Sequence, residues 1–154
     1  METEQQYDST AQTLLHVKRV NELLMKACRI LMRRAAVHDA SKFHSPEKEL
    51  FDLLTPKLAA CEYGSEEYET FLTALKPALD HHYANNPHHP EHYANGVNGM
   101  NLFDLMEMFF DWKAASERQN NGNLCKSIDD NKKKFKLSGQ LISVFKNTIK
   151  YMGW

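Results

Sequence analysis

The chain has no CxxC pair, no apolar run near the roughly 20 residues that a bilayer span requires, and no surplus of either charge. Its three cysteines, Cys28, Cys61 and Cys125, are odd in number and far apart. That excludes a disulfide scaffold and a structural zinc finger, and reads as packed thiols in a reducing compartment. Six glycines and five prolines in 154 residues leave no room for a collagen-like or low-complexity segment. Nineteen Lys+Arg against twenty Asp+Glu give a net charge of −1, so no global field draws the chain to nucleic acid or to a membrane. The first six residues, Met-Glu-Thr-Glu-Gln-Gln, are acidic and polar, unlike a signal peptide. The expectation is a cytoplasmic protein.

What remains is helical. Hydrophobic residues at 42% and charged residues at 25% suffice for a core, and 154 residues suit a single domain. Residues 1–10 read as a loose end. Gln12 to Ala36 holds no Gly or Pro, and Val20, Leu23, Leu24, Ala27 and Leu31 recur at helical spacing with His16 on the same stripe. Ser45-Pro46-Glu47 reads as cap, first helical residue and first-turn acid of a short helix ending before Pro56. Ser65 opens another, with Tyr68, Phe71, Leu72, Leu75, Leu79 and His82 inward and Pro77 as a kink. Residues 84–100 hold Pro87, Pro90, four asparagines and two glycines and read as loop. Asn101 to Arg118 is apolar on nearly every side, a central helix; residues 129–151 read as one Lys-rich final helix. No stretch alternates as a strand does. The fold class is all-α, with five to six helices.

Histidine is the residue in excess. There are eight, more than the glycines, and all lie between His16 and His92, five of them within residues 81–92. Histidine ligates metals and titrates near neutral pH. His38-Asp39 pairs an imidazole with a carboxylate, and the stretch after His82 reads Asn85-Asn86-Pro87-His88-His89-Pro90-Glu91-His92. Asp104, Glu107 and Asp111 fall on one stripe of the most apolar helix. Carboxylates there cost several kcal/mol each unless paired, and a divalent cation held with His16, His38 and Asp39 would answer that cost. Mixed imidazole and carboxylate ligation suits Mn, Fe, Co, Ni or Zn, with Mg where water fills most positions. Asp104 reads as a solvated or capping residue, His81 and His92 as surface residues, and Asn85 and Asn86 as turn formers. The C-terminal lysines read as a solvated helix face rather than a nucleic-acid patch.

A lone helical His, an HD dipeptide about twenty residues later and an Asp on a late buried helix resemble the H…HD…D signature of the HD-domain superfamily. Residues 38–43, the His88-His89-Pro90-Glu91 loop and the Glu107…Asp111-Trp112 segment are also similar to a small phage and bacterial family without an assigned function. The resemblance spans about residues 14 to 118 and leaves the C-terminal helix outside. It implies an all-helical HD-like fold in which His16, His38, Asp39 and Asp111 bind a metal. His82, His88 and His89 resemble the extra histidines of binuclear HD proteins, so one or two ions per chain are expected. Mononuclear HD nucleotidases carry an acid three residues after the HD aspartate, where this chain has Lys42. Glu107 or Glu91 would then handle the attacking water, and Lys42 would bind a substrate phosphate. No organic cofactor is called for.

The activity implied is a metal-dependent phosphohydrolase acting on a nucleotide or another small phosphate ester. Two other readings compete: a di-iron HD oxygenase, and a non-catalytic helical module that binds nucleotide or a partner.

Overall fold

In a computed structural model, residues 7–62, 64–118 and 122–154 are described, and those residues form helices and turns without a strand. The all-α expectation holds, with six α-helices. The chain divides into two units, residues 1–36 and 37–154. No helix among the described residues is long and apolar enough to cross a membrane.

The first unit is in essence one helix, α1 (Thr10–Val37). It starts two residues before the expected Gln12 because the Asp8 carboxylate accepts the Thr10 N–H at 2.9 Å. Residues 1–6 of the expected loose end lie outside the described residues. Taken by itself, α1 carries Val20, Leu23, Leu24, Ala27 and Leu31 on one side at helical spacing, with His16 beside them. A unit made of a single helix has nothing of its own to pack that face against.

The second unit holds two apolar clusters. The first joins α2 (Glu47–Ala60) to α3 (Glu66–Asn85) through Leu54, Leu75 and Ala78, flanked by Leu50, Phe51, Leu58, Phe71 and Leu79. α2 runs through Pro56, where the sequence predicted a stop, because Leu58 carries the apolar face past the proline. α3 likewise continues through Pro77 to Asn85. Its start is as expected, with the Ser65 hydroxyl accepting the Tyr68 N–H at 3.1 Å. The start of α2 is not: Pro46 occupies the cap position, and no side chain caps the helix.

The second cluster joins α4 (Leu102–Glu117), α5 (Leu124–Phe135) and α6 (Gly139–Met152) around Met108, Phe109, Ile128, Leu137 and Phe145. Phe109 stacks on Phe145 with ring centroids 5.0 Å apart, and Trp112 on Phe135 at 6.0 Å. The single helix expected over 129–151 is broken. Lys136 turns left-handed (φ 53°), its N–H closing onto the Lys132 carbonyl, and Ser138 caps α6 through the Leu141 N–H. The break lets Leu137 enter the core.

Residues 84–100 are mainly loop, as expected, with short 3-10 turns at Pro90–His92 and Gly96–Gly99. Tyr93 fastens this loop to α4. Its hydroxyl donates to Asp104 at 2.7 Å, and its ring lies so close to Gly99 that an added Cβ would sit 2.8 Å from the Tyr93 Cβ. Asp104 is the capping residue of the two alternatives, and it is fully buried. It accepts the Asn101 N–H at 2.9 Å while Asn101 accepts the Asp104 N–H, a reciprocal capping box.

Ile128 is fully buried in the α4–α6 cluster. Ile128→Ala is expected to lower stability by about 2–5 kcal/mol through lost transfer energy and a residual cavity. Urea unfolding should show a lower midpoint at an unchanged slope.

Candidate metal centre

Four segments bring the site together, each for a local reason. After Val37 the chain turns at Asp39, whose backbone is left-handed (φ 55°), a conformation that Asp tolerates better than most residues. The turn at Ala40–Phe43 follows, closed by the Lys42 N–H on the Asp39 carbonyl at 2.9 Å. His82 sits in the last turn of α3, on its buried face. Asn86 ends α3, and its carbonyl accepts the His89 N–H at 3.1 Å, which folds His88 and His89 back toward His82. Glu107 and Asp111, one turn apart on α4, supply the remaining carboxylates.

Asp39, His82, His88 and His89 form one group able to hold an ion. Asp39 Oδ1 lies 3.3 Å from His82 Nε2 and 3.4 Å from His88 Nε2, and His82 Nε2 lies 2.9 Å from His89 Nε2. A tetrahedral ion bonded at about 2.0–2.1 Å spaces its ligand atoms about 3.3 Å apart, so the two Asp39 separations fit, whereas His82 and His89 stand at hydrogen-bond distance. Among the described residues, Asp39 Oδ1 and His88 Nε2 are also the buried side-chain atoms left without a hydrogen-bond partner. Native structures rarely tolerate such orphans. A cation between them would satisfy both.

The far nitrogens of two of these rings are anchored. His82 Nδ1 lies 2.8 Å from Glu47 Oε2, and His88 Nδ1 lies 3.2 Å from Glu107 Oε1. A carboxylate at Nδ1 fixes the proton there and turns the Nε2 lone pair inward, the usual arrangement behind a metal-bound histidine. Glu47 is fully buried, and it also meets His81 Nδ1 at 2.7 Å and the Ser41 hydroxyl at 3.1 Å. Asn86 completes this support, donating to the Ser41 hydroxyl at 2.7 Å and to the His82 carbonyl at 2.8 Å.

His38, Asp39 and Asp111 form a second, wider group. His38 Nε2 stands 3.6 Å from Asp39 Oδ2 and 3.7 Å from Asp111 Oδ1, while its Nδ1 is held by Glu107 at 2.8 Å. Asp39 therefore turns Oδ1 to the first group and Oδ2 to the second. Lys42 Nζ rests on Oδ2 at 2.6 Å. His38, His88 and Glu107 form a third grouping around the Glu107 carboxylate.

Charge follows this division. Asp111 and Glu107 raise His38 to about 10 against the pull of burial. Burial and the neighbouring His88 and His82 lower His89 to about 3, and burial also lowers His82, so both keep a free lone pair at neutral pH. Burial lowers His88, but Asp39 and Glu107 outweigh it and raise the group overall. Burial pushes Asp39 and Asp111 up; His88 and Lys42 on Asp39, and His38 on Asp111, reverse that and hold both carboxyls below their ordinary range.

The expected site residues thus fall into three sets. His38, Asp39 and Asp111 come together, and Asp39 also joins His82, His88 and His89, with Glu107 behind two of the rings. His16 belongs to the first unit, and among the described residues the groups that could hold an ion belong to the second. Glu91 is a correction: its carboxylate meets Lys134 Nζ at 3.2 Å rather than the ligands, because the turn after Pro90 directs it to α5. His92 is exposed as expected, its Nδ1 on the Tyr83 carbonyl at 2.8 Å. His81, expected as a surface residue, is half-exposed yet bonded to Glu47. Asn86, expected as a turn former, reaches into the site.

A family model described as a family of unknown function, DUF5662, matches residues 5–151. The chain belongs to the DUF5662 family. No curated protein and no solved structure matches it. The description of the DUF5662 family names no activity.

Glu47→Gln keeps the shape of the buried anchor but removes its charge. Affinity for Zn²⁺ or Co²⁺, measured by competition with a chromogenic chelator, is expected to fall about 10–100-fold. The far-ultraviolet circular dichroism should stay that of the parent.

Proposed function

We propose that this chain is a metal-dependent phosphohydrolase acting on a nucleotide or another small phosphate ester. One observation carries the reading: a single carboxylate, Asp39, faces two ligand groups, with a lysine on its outer oxygen. The donor set is imidazole and carboxylate, which suits Mn, Fe, Co, Ni or Zn at one or two positions per chain. A divalent ion held there would lower the pKa of water toward about 7 and so would supply a nucleophile near neutral pH.

The chain's own groups then have separate tasks. His82, His88 and His89 with Asp39 hold the buried position, and His38 and Asp111 share Asp39 at the outer one. Glu47 and Glu107 keep the rings oriented. Lys42 is half-exposed and can exchange its contact with Asp39 for a non-bridging phosphate oxygen. In the reaction the water oxygen bonds to phosphorus and the bond to the leaving oxygen breaks. The proton released from water ends on the leaving group. The resemblance to HD-domain enzymes points to the same reaction class by analogy of fold.

A di-iron oxygenase is the second reading, favoured by the four histidines around two adjoining positions. The two make different demands on the metal and on oxygen.

Protein purified without chelator is expected to carry one or two transition metals per chain by elemental analysis. It should hydrolyse nucleoside phosphates or p-nitrophenyl phosphate. Asp39→Ala should lose both metal and activity, at least about 100-fold in kcat/KM, whereas Lys42→Ala should raise KM about tenfold with metal content unchanged. Absence of bound metal together with no uptake of added Mn, Fe, Co or Ni would sink the proposal. Oxygen consumption with an iron absorbance band, and no phosphate release, would replace it with the oxygenase reading.

A further inference from the structure

The buried group has one member unlike the others. His82 and His88 each rest their far nitrogen against a carboxylate, Glu47 at 2.8 Å and Glu107 at 3.2 Å. Among the described residues, no hydrogen bond holds Nδ1 of His89. Its ring is placed by other rings instead, with centroids 4.2 Å from His88, 4.8 Å from His82 and 5.1 Å from Tyr83. Such contacts constrain a ring less than a charge-assisted hydrogen bond does.

The hydrogens set His89 apart as well. An ionised carboxylate can only accept, so the hydrogen of His82 lies at Nδ1 toward Glu47, and its Nε2 carries a lone pair. His89 Nε2 stands 2.9 Å from that lone pair and supplies the hydrogen between them. His88 likewise carries its hydrogen on the Glu107 side, which leaves its Nε2 facing Asp39 Oδ1 unsatisfied. Three lone pairs therefore converge, from Asp39, His82 and His88, whereas His89 brings an N–H. To bind an ion, His89 has to give up that hydrogen and take one from water at Nδ1.

Spacing agrees. The Asp39 contacts of 3.3 and 3.4 Å suit neighbours around one tetrahedral ion, and 2.9 Å between His82 and His89 is too short. Reactivity also needs a ligand that leaves. Four protein ligands close a tetrahedral ion, as in structural sites, while catalytic sites keep a position open.

We infer that His89 is the exchangeable member of the buried group: Asp39, His82 and His88 keep the ion, and the His89 ring yields its position to an oxygen of the substrate phosphate. One lone pair leaves the ion and another enters, and no bond of the substrate breaks in the exchange. The ring can turn about its own side-chain bonds while the backbone stays fastened. The His89 N–H is on the Asn86 carbonyl at 3.1 Å, and its carbonyl accepts the His92 N–H at 3.0 Å. The inference rests on the reading of this group as a metal position that takes phosphate.

Co²⁺ tests the two separately, because its visible absorption follows the number and type of its ligands. With one equivalent of Co²⁺, His88→Ala is expected to lose at least about 100-fold in affinity, and His89→Ala about tenfold or less. His89→Phe, which refills the volume of the ring without a donor atom, should match His89→Ala. All three should keep the far-ultraviolet circular dichroism of the parent. Inorganic phosphate should change the Co²⁺ spectrum of the parent, and should do so at about tenfold lower concentration in His89→Ala, where no ring has to be displaced. The inference is overturned if His89→Ala and His89→Phe lose Co²⁺ as His88→Ala does. It is equally overturned if phosphate acts at the same concentration in parent and His89→Ala, or leaves both spectra unchanged. A parent that takes up no Co²⁺ overturns the metal reading itself, and the inference with it.

Discussion

The structure around the site turns on one carboxylate. Asp39 holds a left-handed backbone between Val37 and the turn at Ala40–Phe43, and its two oxygens serve different neighbours. One faces three imidazoles in a buried pocket; the other faces His38, Asp111 and Lys42 nearer the surface. Removing the turn would move both oxygens at once. Every other group in the site is arranged to supply charge or orientation to one of these two positions.

The surrounding balance explains why so many ionisable groups share a small volume. Asp39, Glu47, Glu107 and Asp111 bring four carboxylates, and Lys42 and a protonated His38 are the cations standing among them. Glu47 is accommodated by three donors from Ser41, His81 and His82. His88 Nε2 and Asp39 Oδ1 are the places where protein donors and acceptors do not match. Buried polar atoms left in this state raise the free energy of the folded chain, a cost that a cation held between them would offset.

Much of the site was legible because its residue types are few and clustered. His38-Asp39, the His88-His89 dipeptide and Asp111 stand out by identity alone, and helical periodicity placed His82 on an inward face. Glu47 did not stand out. An acid in a first turn after Ser-Pro is what a helix start contains, and nothing in its spacing shows that it turns inward under two histidines. Asn86 was hidden in the same way, as a turn former among turn formers. The helix boundaries failed where tertiary contacts outweighed local signals: Leu58 drew α2 past Pro56, and the entry of Leu137 into the core divided the C-terminal lysine-rich stretch.

The Tyr93 hydroxyl on Asp104 fastens the loop bearing His88 and His89 to the first turn of the helix bearing Glu107 and Asp111. Two of the four segments that build the site are thereby locked together by the fold. The entropy of arranging the donors is spent during folding rather than when an ion arrives. Donors held in this way would select an entering ion by radius and coordination number, because donors that cannot spread accept only ions that fit the spacing they already have.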